Sequence, residues 1–101
     1  MYGKLDPMHW PIGAKWEELK FLVNELERYS RVLWFRAHVS FRVHVNASVF
    51  ADKDLPHYEF VVIKRDRSAT LAYEVLGRYT DIDTAVGVVK LLVGNIKEEL
   101  Q

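Results

Sequence analysis

The chain has 101 residues, of which 50% are hydrophobic and 28% charged, with Lys plus Arg equal to Asp plus Glu and no cysteine. That composition belongs to one folded domain with a single core rather than to a disordered chain or a pair of domains. Zero net charge excludes a global attraction to nucleic acid or to an anionic membrane, and the missing cysteines exclude a disulfide framework and a thiolate metal site.

Residues 1–13 carry Gly3, Pro7, Pro11 and Gly13 and are expected to form an irregular arm, with Met8, Trp10 and Ile12 tucked against the body. From about Ala14, the apolar residues Trp16, Leu19, Leu22, Val23, Leu26 and Tyr29 recur at spacings of three and four, which predicts a helix. Glu17 and Glu18 in the first turn and Arg28 near the end suit its dipole. The same spacing runs on through Leu33, so the helix end stays open at this point.

Residues 31–50, RVLWFRAHVSFRVHVNASVF, alternate, with odd positions from Leu33 to Val49 apolar and even positions from Arg36 to Ser48 polar or basic. A half-buried strand needs that period of two. Twenty extended residues would span about 65 Å, too long for this domain, so the strand must bend, bulge, break near Asn46–Ser48 or begin after residue 31. That choice decides whether Trp34 lies on the helix or on the sheet.

DKDLP (52–56) reads as a turn, and HYEFVVIKR (57–65) as a central strand apolar on both faces. DRSA (66–69) is a second turn, and TLAYEVLGRY (70–79) a third strand, with Leu71, Tyr73 and Val75 sharing a face and Tyr73 turned inward like Phe35 and Phe41. Thr80 or Asp81 caps a closing helix, with Asp83 completing an approximate capping box. The expected fold is therefore α+β: an antiparallel three- to four-stranded sheet flanked by an N-terminal and a C-terminal helix, in the order α-β-β-β-α, as one domain over residues 1–101. No apolar run reaches membrane-spanning length and the N-terminus lacks a signal-peptide core, so a cytoplasmic protein is expected. Scarce Gln, Asn and Met among many charges fit a thermophile.

The basic positions suggest a function. Arg36, His38, Arg42 and His44 are expected on the outer face of the sheet with Trp34 at its edge, and Lys64, Arg65 and Arg67 at a hairpin tip. Phe50 and Tyr58, at strand ends, add rings. Cations for the phosphates and aromatic faces for any base are what single-stranded nucleic acid needs. The same residues also suffice merely to solvate a sheet face.

In the closing helix, Ile82, Val86, Val89, Val93, Ile96 and Leu100 form a heptad seam, and Val88, Leu91 and Leu92 widen the apolar arc. Gly87 and Gly94 lie seven apart on one side, where another backbone can approach. Burial between the sheet and the first helix, or self-association as a dimer, both account for this arc.

Metal and cofactor sites are not expected. His38 and His44 lie roughly 20 Å apart along an extended strand, and Asp52/Asp54 and Asp81/Asp83 are explained by a turn and a cap. No phosphate-cradling loop or nucleophile elbow occurs, so a non-catalytic role is expected, with a small-ligand pocket or enzyme in the open mouth between helix and sheet, sensitive to changes at Asp81 or Asp83, a third option.

With aromatics flanking the basic RAHVSFRVH strand and a heptad-like C-terminal helix, the chain resembles the ThermoDBP family of archaeal single-stranded DNA-binding proteins over about residues 10–100. That resemblance implies a cleft of aromatic and basic residues that takes the strand, with Trp34, Arg36, Arg42, Phe50 and Tyr58 as contacts, and associated subunits. The expected function is thus sequence-tolerant binding of single-stranded DNA in preference to RNA. The alternative is a structural or interaction subunit that uses its C-terminal helix.

Overall fold

The apolar stripe that starts at Trp16 continues without a break through Leu33, and the helix follows it. In the computed structural model, which describes residues 2–48, 57–67 and 73–101, helix α1 spans Ala14–Ala37 and buries Leu19, Leu22, Val23, Leu26, Ser30 and Leu33. Gly13 caps its start with φ 151°, a conformation that side chains disfavour. His38 ends it in the left-handed region, φ 58°, its N–H donating to the Trp34 carbonyl. That single residue turns the chain back into strand β2, Val39–Ser48.

This boundary corrects the expectation that Arg36 and His38 share a sheet face with Arg42 and His44. Leu33 satisfies both periodicities, but Phe35 follows the helix and stands 86% exposed rather than inward. Helical hydrogen bonding to the end of an already nucleated helix prevails over the five-residue alternation.

Strand β3, His57–Asp66, pairs antiparallel with the whole of β2, and β4, Glu74–Tyr79, pairs with β3. The arm is not irregular throughout: Tyr2–Lys4 form strand β1 against Asn46–Ser48, giving one antiparallel sheet in the order β1-β2-β3-β4. Trp10 is buried and donates its indole N–H to the Leu5 carbonyl, whereas Met8 and Ile12 are exposed rather than tucked in. The expected turn 52–56 and the first residues of the expected third strand lie outside the described residues.

A register shift between Val62 and Ile63 disturbs the β3–β4 ladder. Phe60 pairs with Tyr79, and Val62 with Gly77, on the face that packs on the helices. Ile63 pairs with Val75 on the other face, so Tyr73 and Val75 project from the open side instead of into the core. Gly77 lies under the Tyr79 phenol, and a Cβ there would force that ring to shift.

Helix α2, Ile82–Glu99, starts at Asp81, whose carboxylate accepts from the Thr84 N–H and hydroxyl. Asp83 is thereby left free of the cap and pairs with Lys15 at 3.3 Å. That hydrogen bond, with Glu18 nearby, holds the Lys15 ammonium above its ordinary pKa of 10.5. Lys97 pairs with Glu25, and Arg36 donates to the Leu100 carbonyl, so the two helices run parallel with like ends together. Both lie on one face of the sheet, and the heptad seam of α2 enters the shared core through Val86, Val89, Val93 and Ile96 with Phe60, Val45, Leu19 and Leu26. The opposite sheet face carries no helix among the described residues. No helix among the described residues is long and apolar enough to cross a membrane.

Candidate nucleic-acid interface

Two concavities flank the first half of β2. One, of about 550 Å³, lies between the flank of α1, the N-terminal arm and the β2 edge, with Glu27, Arg31 and Trp34 on its helical wall. The other, of about 440 Å³, is a depression in the open sheet face lined in part by Asn46, Val61, Ile63, Tyr73 and Arg78. Ser40, Arg42, His44 and Arg65 border both.

The geometry follows from two periodicities. In β2 the even residues point away from the helices, so Ser40, Arg42, His44 and Asn46 line up on the open face. In β3 the partners of these residues are Arg65, Ile63, Val61 and Glu59. On α1, Glu27, Arg31 and Trp34 fall at i, i+4 and i+7, one stripe on the side away from α2. Arg65 reaches past the start of β2 to place its guanidinium 5.2 Å from the Trp34 ring centroid. The His38 imidazole stands edge-on to the same indole, 6.2 Å away. Trp34 is therefore held between two polar groups at the mouth of the cleft and is only half buried.

The charge is local. Among the described residues, Arg31, Arg42, Arg65 and Arg67 have no acidic partner within 4.0 Å. Arg78, on the same face, is neutralised by Glu59 at 3.0 Å.

Of the residues expected to contact nucleic acid, Trp34, Arg42, His44 and Arg65 are brought together here, with His38 against Trp34 and Arg67 exposed in the adjoining turn. Three others go elsewhere. Arg36 lies across the helix from Trp34 and is engaged with Leu100. Tyr58 points under the sheet and packs edge-on against Trp16, centroids 4.9 Å apart. Lys64 follows Tyr58, Phe60 and Val62 onto the helical side by the alternation of β3. Phe50 lies outside the described residues.

In α2, Leu92 joins the core and Val88 is half-buried, while Gly87, Leu91 and Gly94 face outward. A Cβ at either glycine would meet nothing within 4 Å.

Sequence reasoning missed Glu27, Arg31, Asn46 and Tyr73. Arg31 and Glu27 become visible once the helix is carried to Ala37, since they then share a stripe with Trp34. Tyr73 had no such signal, because its direction depends on the irregular β3–β4 ladder. Comparison of the chain with protein-family models, with curated proteins and with solved structures gives no match.

Proposed function

We propose that this chain binds single-stranded nucleic acid, DNA in preference to RNA, and does no chemistry on it. The backbone lies along the open sheet face and the adjoining cleft. The observation that carries this reading is the convergence of Arg31, Arg42 and Arg65, from three separate elements and without acidic partners among the described residues, around a half-exposed Trp34. Guanidiniums position phosphates, and an indole offers any base a stacking surface worth about 1–3 kcal/mol. This is the function that the ThermoDBP likeness implies, and a cytoplasmic setting goes with it.

Fluorescence anisotropy of a labelled 20-nucleotide strand, titrated with the protein at low and moderate salt, tests it. Charge reversal in Arg42→Glu is expected to weaken binding more than tenfold, whereas Arg36→Glu, on the far side of α1, leaves it unchanged. Absence of binding at low salt would overturn the reading, and tighter binding of the matching RNA would reverse the stated preference.

A second reading has one observation of its own: Leu91, 68% exposed, sits between Gly87 and Gly94 on the outward face of α2. An interaction subunit, or a dimer of this chain, would use that face.

A further inference from the structure

The cleft beside α1 holds one group that phosphate binding does not explain. Glu27 is the only acid among the described residues lining it, facing a space bordered by Arg31, Arg42 and Arg65. It stands one helical turn from Arg31, a spacing at which opposite charges commonly pair, yet no ion pair forms within 4.0 Å. On a wall that only held phosphates, this carboxylate would repel the ligand. A carboxylate suits the other half of a nucleotide, since it accepts hydrogen bonds from the exocyclic amino groups of cytosine, adenine and guanine. At the position of the cytosine amino group thymine and uracil carry a carbonyl oxygen, and only their ring N3–H can donate, so a carboxylate aimed at that position faces an opposed acceptor.

The spacing fits this use. Glu27 and Trp34 are seven residues apart on one stripe of α1, about 10 Å along the axis with Arg31 between them, so a base reaching from indole to carboxylate lies in the cleft in front of Arg31. The cleft volume of about 550 Å³ lies within the ordinary range for small-molecule sites.

We propose that this cleft is a base-selective pocket in which one amino-bearing nucleobase lies beside Trp34 and donates its exocyclic N–H to Glu27, while Arg31, Arg42 and Arg65 take the flanking phosphates. The inference rests on the nucleic-acid reading and adds to it one selective position on an otherwise sequence-tolerant surface. Glu27 is the specificity-determining residue.

The test is anisotropy of labelled (dC)20 and (dT)20 with the full chain at low salt, comparing the natural protein with Glu27→Gln. Glutamine keeps the length of the side chain but both donates and accepts, so it no longer discriminates. The natural protein is expected to bind (dC)20 at least about fivefold tighter than (dT)20, and Glu27→Gln to narrow that ratio below about twofold. Equal binding of the two strands by the natural protein would overturn the pocket while leaving the nucleic-acid reading intact. So would a Glu27→Gln variant that tightens both strands equally, since the carboxylate would then act only by repulsion. Failure to bind either strand would overturn both. Circular dichroism of the variant confirms that this exposed substitution leaves the fold unchanged.

Discussion

Ser30 shows how one residue supports the edge of the proposed interface. In an antiparallel ladder, alternate residues turn their peptide groups away from the partner strand, and in β2 these are Val39, Phe41, Val43 and Val45. The arm serves only the far end of that edge, with the Leu5 N–H donating to the Val45 carbonyl. At Phe41 a hydroxyl takes the place of the missing strand: Ser30 Oγ accepts from the Phe41 N–H at 3.1 Å and donates to its carbonyl at 3.2 Å. Ser30 therefore belongs in the buried stripe of α1 despite its polarity. Ser30→Ala leaves both peptide groups unpaired under the helix and should destabilise the fold by about 1–3 kcal/mol in urea unfolding. A loss below about 0.5 kcal/mol would mean that water replaces the hydroxyl at no cost. Nothing in the sequence marks Ser30 for this role. Its partner lies across the helix-to-strand turn, and that turn's position depends on His38 adopting a left-handed conformation.

At the scale of elements, α2 carries two properties that the sequence places on one helix and the structure separates. Its seam packs on α1 and the sheet, while Gly87, Leu91 and Gly94 face away from the core. Glycine inside a helix costs roughly 0.5–1 kcal/mol relative to alanine. Among the described residues nothing lies within 4 Å of a Cβ added at either position, so Gly87→Ala and Gly94→Ala should each raise the thermal unfolding temperature by a few degrees. Lower stability together with a fall in sedimentation mass would instead assign this face to a second copy of the chain. Helix α1 makes the complementary point. Its polar flank, Glu27–Arg31–Trp34, is an ordinary solvated stripe in the sequence and becomes a cleft wall only because β2 folds back beneath it.

The described residues form a sheet with both helices on one side, and the other side carries no helix. Zero net charge does not conflict with nucleic-acid binding in such a layout, because several basic side chains around β2 lack an acidic partner among the described residues. Pairs such as Lys15–Asp83 and Lys97–Glu25 are spent between the helices, while Arg42 and Arg65, at the open face, have no acidic partner within 4.0 Å among the described residues. Binding should therefore respond to salt as a small local patch does. Neutralising Arg42, Arg65 or Arg67 singly should each lower the slope of log K against log salt by about one. A slope that none of these substitutions changes would place the phosphates elsewhere on the molecule.

The α-β-β-β-α order, the antiparallel pairing and the identity of the central strand are legible in the sequence, because each depends on local periodicity and turn chemistry. So is the seam of α2, which needs only a repeat of three and four. Where α1 stops was not legible, since Leu33 fits a helix and a strand equally and the tie is broken by hydrogen bonds continuing along a formed helix. Nor was the direction of Tyr73, which hangs on a register shift in the neighbouring ladder. Arg36 and Arg42 look equivalent as two arginines in one alternating run. They part because a helix advances 100° per residue and a strand 180°, so the change of element at His38 sends one toward α2 and the other to the open face. The sequence by itself determined which groups the protein has to bind with. Which of them meet was decided by the tertiary structure, because convergence depends on how separate elements pack rather than on the pattern within any one of them.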